Sequence, residues 1–577
     1  MPQKVIIKTE TGGWICFENP LELLRAEDAG SNASVVEQPA KAGKNGKYAV
    51  GFVCYEASAA FDDSLKVKSS SLAPLPLVWF GIYDAAVKYD IANAGNTADR
   101  HALNLQSDTS TEQYQAAVEK IKGYIETGYT YQVNYTIRLS TKFRYEPLDF
   151  FAAIAKNCDA GYCCFIETDD FAICSFSPEL FFTLKDGVVT TRPIKGTIAR
   201  GLGATCDKAA KERLIHSEKD MAENVMIVDM IRNDLGKIAL PGTVEVSRLF
   251  EIEKYPTLYQ ISSTVTARVE ADAGEVLKQM FPCASITGAP KCKTMEIIAE
   301  LERSPRGIYT GSIGYFAPGG NARFNVAIRT AVIDKRTETA TYGTGGGIVW
   351  DSTAESEYDE CITKAGVLTC PTQDFSLLES ILWTQAGGFY LERLHLDRLR
   401  ESADYFDYKF DEGCIRREMD HAVRNCRQGE YKVRLLLAKD GNVTIDIQPI
   451  LPSNAPLKVR KAEKNVSSND VFLYHKTTNR DVYEQAYSKR DGCDEVMLWN
   501  EKGEITECTF HNIAFEKDGL LYTPPVECGL LAGTMRQEML RNGQLREKTI
   551  RLDEIENYGG IYLINSVRGK RKAALTL

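Results

Sequence analysis

Apolar and polar positions along the chain switch repeatedly between two rhythms, a helical stripe and a strict alternation. After Ser110 and Thr111, residues Tyr114, Ala117, Val118, Ile121 and Ile125 recur at helical spacing as far as Gly128. This predicts an amphipathic helix started by a hydroxyl cap and stopped by glycine. Residues 131–139 then change to period two, with Val133, Tyr135, Ile137 and Leu139 on one face, the pattern of a strand. Residues 433–447 hold two such runs around Lys439-Asp440-Gly441-Asn442, a hairpin signal, and a second hairpin is predicted around Asn500-Glu501-Lys502-Gly503. A helical pattern ends at Thr369-Cys370-Pro371-Thr372-Gln373, and a fresh strand-like pattern begins at Phe375. The chain is therefore divided into residues 1–370 and 371–577, each a strand-rich α+β fold whose topology periodicity does not give.

Size and charge narrow the picture. At 577 residues the chain is too long for one ordinary domain, and its 44% apolar content is enough for large cores. A net charge of −10 with the signs interspersed argues against nucleic acid as a partner, which would favour a basic face. No apolar run approaches the ~20 residues that span a bilayer, and residues 1–19 do not read as a signal peptide. The sixteen cysteines contain no C-x-x-C pair, and the adjacent Cys163 and Cys164 lie in an apolar, strand-like run that suits core packing. A reducing, cytoplasmic setting is expected. Six scattered histidines leave little room for a histidine-based metal site.

Candidate chemistry starts with carboxylates. Ser352-x-x-Glu355 reads as a capping box that opens a helix running to about residue 368. On it Glu357, Glu360 and Lys364 share a face that continues into Cys361, Ala365 and Leu368. A second helix, residues 217–235 with Gly236 as its stop, aligns Glu223 with Ile227, Met230 and Ile231. Acids directed inward repel one another and lose hydration, which a bound divalent cation relieves; oxygen-only ligands favour magnesium over zinc. Ordinary surface carboxylates are the other reading of the same spacing. Between these helices lie Ser285-Ile286-Thr287-Gly288-Ala289-Pro290-Lys291 and Tyr342-Gly343-Thr344-Gly345-Gly346-Gly347, read as turns whose N–H groups approach an anion.

Arg192-Pro193-Ile194-Lys195-Gly196-Thr197 resembles a signature of the chorismate-utilising enzymes, in the branch of aminodeoxychorismate synthase component I. So do Ser177-Pro178-Glu179, Ala222-Glu223-Asn224, the 285–291 stretch, Ile328-Arg329-Thr330, Gly345-Gly346-Gly347 and Glu357-Tyr358-x-Glu360, in order over roughly residues 50 to 366. The resemblance implies an antiparallel, β-rich sandwich of strands and helices. It implies a magnesium ion held by Glu223, Glu357 and Glu360, and chorismate carboxylates bound by Arg329, Thr287, Gly288, Tyr342 and the glycines 345–347. Glu179 would be the general acid on the departing C4 hydroxyl. Lys195 is diagnostic, because anthranilate synthases and several isochorismate-type relatives usually carry alanine there. In the Pro-Ile-Lys-Gly-Thr form the lysine is thought to attack C2 before ammonia enters at C4. Gln260 stands where many relatives have histidine, so an acid–base role at that position is in doubt, and the residues before 50 match the family poorly.

The second part supplies the three requirements of pyridoxal phosphate chemistry, a lysine, an acid for the pyridine nitrogen and a phosphate cradle. Tyr474-His475-Lys476-Thr477-Thr478-Asn479-Arg480 offers the lysine, and Ile505-Thr506-Glu507-Cys508-Thr509-x-x-Asn512 the acid. Gly529-Leu530-Leu531-Ala532-Gly533-Thr534 opens a helix whose free N–H groups suit a phosphate, with Gly533 and Thr534 in contact and Arg393 as its bidentate partner. Taken singly these are a basic segment, a strand glutamate and a glycine turn. Their order resembles the fold-type IV (D-amino acid aminotransferase-like) pyridoxal 5'-phosphate enzymes over residues 375–577, a group that includes aminodeoxychorismate lyase and branched-chain aminotransferase. The resemblance implies Lys476 as the cofactor-bearing base, Glu507 as the pyridine partner, and Ser380 as the nearest match to a threonine that protonates the leaving group in some members. These motifs leave lyase and aminotransferase both open; fusion to the first part favours the lyase, because the first product is then the second substrate.

The combined expectation is a bifunctional synthesis of the folate precursor 4-aminobenzoate from chorismate and ammonia. An anthranilate synthase joined to an unrelated aminotransferase, and a scaffold without catalysis, are the alternatives. No G-x-C-x-G nucleophile elbow occurs in the sequence, so a separate glutamine amidotransferase subunit is expected to deliver ammonia. A homodimer through the C-terminal part is implied by the fold-type IV resemblance alone.

Overall fold

The computed structural model describes residues 3–27, 32–68, 72–94, 103–156, 158, 160–369, 375–451 and 455–576. The predicted boundary at residues 369–373 lies outside them except for Thr369. The chain separates into two compact units, one of residues 1–199 and 211–372, the other of residues 200–210 and 373–577.

Two ten-stranded antiparallel sheets form the first unit. One runs from Gly288–Ala289 through Gln132–Lys142, Thr339–Ile348, Thr330–Asp334, Phe171–Ser177 and Tyr162–Glu167 to Lys4–Lys8 and beyond. The other starts at Ile194–Ala199 and passes through Leu258–Arg268, Val188–Arg192, Leu180–Lys185, Ala322–Asn325 and Ser312–Phe316 to Tyr48–Val53 and Val78–Tyr83. They pack face to face: the Phe52 and Phe171 rings meet edge-on at 6.0 Å, and Phe17 lies 5.4 Å from Tyr48. Aromatic pairs of this kind carry a large share of a core's burial energy.

The outer face of the first sheet carries helices. Thr111–Glu126 starts as expected, with Ser110 and Gln113 forming a reciprocal capping box, and buries Tyr114, Val118 and Ile121. Val133, Tyr135, Ile137 and Leu139 meet that stripe in one apolar cluster. The alternation is masked by full burial, since Gln132, Asn134, Thr136 and Arg138 on the opposite face are buried too. Cys163 and Cys164 are core residues of the strand Tyr162–Glu167, and among the described residues every cysteine is free. No described helix is long and apolar enough to cross a membrane.

The second unit contains a four-stranded sheet, Gly388–Phe389, Leu377–Thr384, Glu430–Leu437 and Val443–Pro449, and an eight-stranded sheet that includes Leu457–Lys461, Glu495–Trp499, Ile505–Cys508 and Asn512–Lys517. Both predicted hairpins form. Helices Glu392–Phe406 and Glu412–Val423 cover one face of the smaller sheet, where Leu377, Ile381, Leu435 and Leu437 pack on Leu396, Leu399, Ile415 and Met419. Strand-rich α+β describes both units.

Candidate active sites

Two crossings between the sheets build the first site. The chain leaves Phe171–Ser177 and enters Leu180–Lys185 of the other sheet through Pro178 and Glu179. It returns from Ala322–Asn325 to Thr330–Asp334 past Arg329, whose φ of 51° lies in the left-handed region. The crossings are laced together: Val326 N donates to Glu179 O at 3.1 Å, and Phe176 N to Arg329 O at 3.0 Å. The Arg329 guanidinium lies over the Tyr255 ring, 5.7 Å from its centre.

Glu179 is only 2% exposed. Burial pushes its carboxyl up to about 7, against the opposing pulls of a 2.6 Å hydrogen bond from Ser285 Oγ and the nearby Lys195 charge. Lys195 projects from the edge strand Ile194–Ala199. A Cβ added to Gly347 would meet Lys195 Nζ at 3.3 Å and Gln132 Nε2 at 2.0 Å. The absence of a side chain there leaves room for the Lys195 amine and the Gln132 amide. Gln132 Nε2 in turn donates to Glu223 Oε2 at 3.4 Å, so Lys195, Gln132 and Glu223 surround one spot.

Glu223 stands on the predicted helix, which runs Glu218–Gly236 with Ser217 as its cap and includes Gly236 rather than stopping at it. Glu357 and Glu360 stand on the helix Ala354–Ala365. The expected capping box at Ser352 is corrected: Thr353 is the cap and accepts from Ser356 N, while Ser352 Oγ donates to Glu357 at 2.7 Å. Burial, and then the Asp220 and Glu357 charges, hold Glu223 above the usual carboxylate range; burial, and then the Glu360 charge, do the same for Glu357. Burial acts the same way on Glu360, but Lys364 at 2.7 Å brings it below that range. Among the described residues no three acidic, histidine or cysteine side chains converge closely enough to hold a metal by themselves. The all-oxygen donor set suits a hard cation that completes its shell with water and substrate.

Two further expectations change. Residues 342–347 are not a turn but part of the strand Thr339–Ile348, paired with Gln132–Lys142 in unbroken register. Its glycines admit neighbouring side chains: a Cβ on Gly346 would come within 2.9 Å of Glu357 Oε2, and one on Gly345 within 2.3 Å of Tyr135 O. Tyr342 is 2% exposed and packs in the core under the sheet, its hydroxyl donating to Lys364 O at 3.0 Å. That bond ties the hydroxyl to the helix Ala354–Ala365. Thr287 is buried with its hydroxyl on Ala284 O at 3.1 Å, and Gly288, at φ 139°, passes so close to Gln132 that a Cβ would lie 2.1 Å from its carbonyl oxygen.

Gln132 Oε1, Asn224 Nδ2, Gln260 Oε1, Thr191 Oγ1 and Ser262 Oγ are buried without a partner among the described residues. All lie on elements around Lys195 and Glu223, and an accumulation of unpaired polar atoms marks where a polar ligand completes the structure. Gln260 also donates to Thr197 Oγ1 at 3.2 Å, beside the Lys195 strand.

The second site centres on Lys476. Its segment adds to the edge of the small sheet, with Leu378 N donating to Lys476 O at 2.9 Å and Thr478 N to Ser376 O at 2.9 Å. Burial, followed by the Arg398 and Arg480 charges, pushes the amine down to about 7. Glu507 is 5% exposed, and its oxygens accept from Tyr483 Oη (2.7 Å), Asn512 Nδ2 (3.0 Å) and Leu531 N (3.2 Å). Burial nevertheless raises it to about 7, against those hydrogen bonds and the pull of the Arg480 and Lys476 charges. Thr534 is the first residue of the helix Thr534–Arg541, capped by Gly533, where a Cβ would strike Asn512 Oδ1 at 1.9 Å.

Arg393 does not belong to this site. Its side chain is 92% exposed and, among the described residues, pairs with Asp397 alone, at 3.7 Å. Arg398, five residues on, is the buried cation: it grips both oxygens of Glu379 at 2.9 and 2.7 Å and donates to Ala532 O at 3.1 Å, next to Gly533. His395 completes the cluster, with Nδ1 at 2.6 Å from Glu379 and Nε2 at 3.2 Å from Thr534 Oγ1. A signal for this was present, because His395, Arg398 and Ser402 recur at helical spacing beside the buried stripe of Leu396, Leu399 and Ala403. Ser380 alternates with Glu379 and lies on the sheet face turned away from helices Glu392–Phe406 and Glu412–Val423. A depressed buried amine, a buried carboxylate awaiting a cation, and a Gly-Thr helix start beside a buried arginine together fit pyridoxal phosphate.

These arrangements define a two-part enzyme, each part with its own lysine near a buried acid. Residues 7–369 match the model of the chorismate binding enzymes, and residues 376–574 that of the class IV amino-transferases. The chain belongs to the chorismate binding enzymes and carries a class IV amino-transferase region behind that domain, which agrees with the fusion read from the motifs. It is 35% identical over 355 residues to aminodeoxychorismate synthase component 1 of Bacillus subtilis (strain 168), covering 55% of this chain and 75% of that one. It is 41% identical over 266 residues to the component of the same name from Klebsiella aerogenes, covering 45% of this chain and only 57% of that relative. The crystal structure of anthranilate synthase component I from Streptococcus pneumoniae TIGR4 is similar with a TM-score of 0.53 at 25% identity, over 64% of this chain and 92% of that one.

Proposed function

We propose that this enzyme makes 4-aminobenzoate from chorismate in two steps, amination in the first unit and release of pyruvate in the second. The observation that carries the reading is one chain holding both Lys195 beside the buried acid Glu179 and Lys476, an amine held near 7, beside Glu507.

In the first step Lys195 adds its amine to C2 of the ring as the C4 hydroxyl leaves with the proton of Glu179, as water. Ammonia then adds at C4 and the lysine amine departs from C2. Glu179, held near 7, keeps its proton in a large fraction of molecules at neutral pH where an ordinary carboxyl would have lost it, and Ser285 aims its carboxyl. Glu223, Glu357 and Glu360 would hold magnesium, which neutralises a ring carboxylate; Arg329 and the 287–288 and 345–347 backbones line the remainder.

Pyridoxal phosphate, when bound, supplies an electron sink that acidifies the hydrogen at the amine-bearing carbon. Lys476 would hold the cofactor and take the C4 proton, Glu507 would balance the pyridine nitrogen, and Arg398 with Gly533 and Thr534 would receive the phosphate. Ser380 gives a proton to the group leaving C3, and aromatisation of the ring makes the step irreversible. Ammonia comes from a glutamine amidotransferase subunit, and the protein pairs as a homodimer through its second unit.

The test is a product assay with chorismate, magnesium, ammonium and pyridoxal phosphate. Equal amounts of 4-aminobenzoate and pyruvate, lost in Lys195→Ala and in Lys476→Ala, support both steps. Appearance of 2-aminobenzoate would instead make the first unit an anthranilate synthase. Full activity of the purified chain on glutamine without ammonium would rule out the separate amidotransferase, and a monomeric mass in solution would rule out the dimer.

A further inference from the structure

The small sheet of the second unit has two unlike faces. One is covered by helices; the other carries Leu378, Ser380 and Leu382 from the strand Leu377–Thr384. In register with them on the strand Glu430–Leu437, Lys432 stands opposite Leu382 and Arg434 opposite Ser380. Side chains directly across a ladder share a face, so both cations stand on the face of Ser380, beside the strand that receives the Lys476 segment. Arg480, four residues beyond Lys476, lies over the Tyr483 ring at 4.4 Å and the Phe510 ring at 5.6 Å.

Arg568 completes the group. After burial, Arg434, Arg568 and Arg480 are the charges that hold the Lys432 amine below its usual value, which places all four cations in one neighbourhood. Asp446 faces Arg434 across the next ladder but accepts from Gln448 Nε2 at 2.9 Å. Among the described residues neither Lys432 nor Arg434 makes a side-chain hydrogen bond or ion pair, although both are half-buried. Asp446 pulls the Lys432 amine the other way but is outweighed, and a surplus of like charge raises the energy of the unliganded protein, which an anionic ligand relieves.

We infer that Lys432 and Arg434, flanked by Arg480 and Arg568, seat the two carboxylates of a cyclic dicarboxylate amine presented to Lys476. The seat selects such a substrate over amino acids with a single carboxylate. This rests on the proposed lyase step, whose substrate carries one carboxylate on its ring and another on its enolpyruvyl ether. Arg434, with five donors in a planar fork, takes one carboxylate bidentately.

The experiment uses the full-length protein loaded with pyridoxal phosphate, and the probes are isophthalate, a ring dicarboxylate, and benzoate, its monocarboxylate counterpart. Isophthalate should perturb the visible band of the bound cofactor at lower concentration than benzoate. It should also compete with aminodeoxychorismate in pyruvate release. Lys432→Gln and Arg434→Gln should each raise the KM of that release and weaken isophthalate about tenfold or more, with kcat changed far less. Arg434→Lys should recover part of the loss, and retention of the cofactor band shows that each variant is folded. Unchanged KM and unchanged isophthalate binding in both Gln variants would overturn the seat. If the wild-type protein released no pyruvate but isophthalate still bound through these residues, the lyase reading would fall and the dicarboxylate seat would stand.

Discussion

Ser285 Oγ donates a 2.6 Å hydrogen bond to Glu179 Oε1 inside a pocket where that carboxyl is 2% exposed. The bond favours the ionised form, yet burial outweighs it and leaves Glu179 near 7. A general acid must carry its proton, so amination should decline as pH rises through about 7 when the concentration of free ammonia is held constant. Removing the donor in Ser285→Ala removes a pull towards ionisation. The decline should then move to higher pH by about one unit, measured as chorismate consumption, with Glu179→Gln inactive throughout. A decline that stays in place in Ser285→Ala would exclude Glu179 as the titrating acid.

Lys476 shows the opposite sign. Burial and the Arg398 and Arg480 charges push its amine down to about 7, so it is protonated below that value and free above it. Only the free amine captures an aldehyde. The rate at which cofactor-free protein gains the visible band of bound pyridoxal phosphate should therefore rise with pH through about 7, then level off. An exposed lysine would still be rising near 10. Lys476→Ala should show no such band while leaving chorismate amination intact.

How far the sequence foretells these sites depends on how local their causes are. The helix Thr111–Glu126 is legible because its cap, its stripe and its stop are all within the segment. So are the two hairpins. The strand containing Gly345, Gly346 and Gly347 is not, because three glycines have turn propensity and only pairing with Gln132–Lys142, some two hundred residues earlier, makes them a strand. Glu179 and Lys195 are recognisable from short motifs, whereas Ser285 and Gln132 meet them only through the crossing of two sheets. Arg393 and Arg398 lie on one helix, and choosing between them required asking which lies beside the buried stripe.

Gly347 converts that strand into a specific test. A methyl group there would sit 2.0 Å from Gln132 Nε2 and 3.3 Å from Lys195 Nζ, while its backbone φ suits any residue. Gln132 must move and Lys195 is crowded, so Gly347→Ala should reduce kcat/KM for amination about 100-fold, the usual consequence of a displacement near 1 Å at a reacting group. Pyruvate release from supplied aminodeoxychorismate should be unaffected. Loss of both activities together would show instead that the substitution unfolds the protein.

The choice between Arg393 and Arg398 is decided by cofactor affinity. Arg398 is 8% exposed, bound to Glu379 through two nitrogens and to Ala532 O through a third, at the start of the helix capped by Gly533. Its neighbourhood, with His395, holds Glu379 down to about 2, so the carboxylate stays ionised and the guanidinium is fixed in place. Two of its five N–H groups remain for an anion at the helix N-terminus. Arg398→Ala should weaken pyridoxal phosphate binding about 10- to 100-fold, the range for a lost charge-assisted hydrogen bond. Part of that loss comes from leaving Glu379 without its partner, which Arg398→Lys separates by keeping a charge but not the fork. Arg393→Ala, at a side chain 92% exposed, should leave the affinity unchanged. Titrating the visible band of the bound cofactor in the three variants distinguishes the two arginines, and equal weakening by Arg393→Ala would return the phosphate to the exposed one.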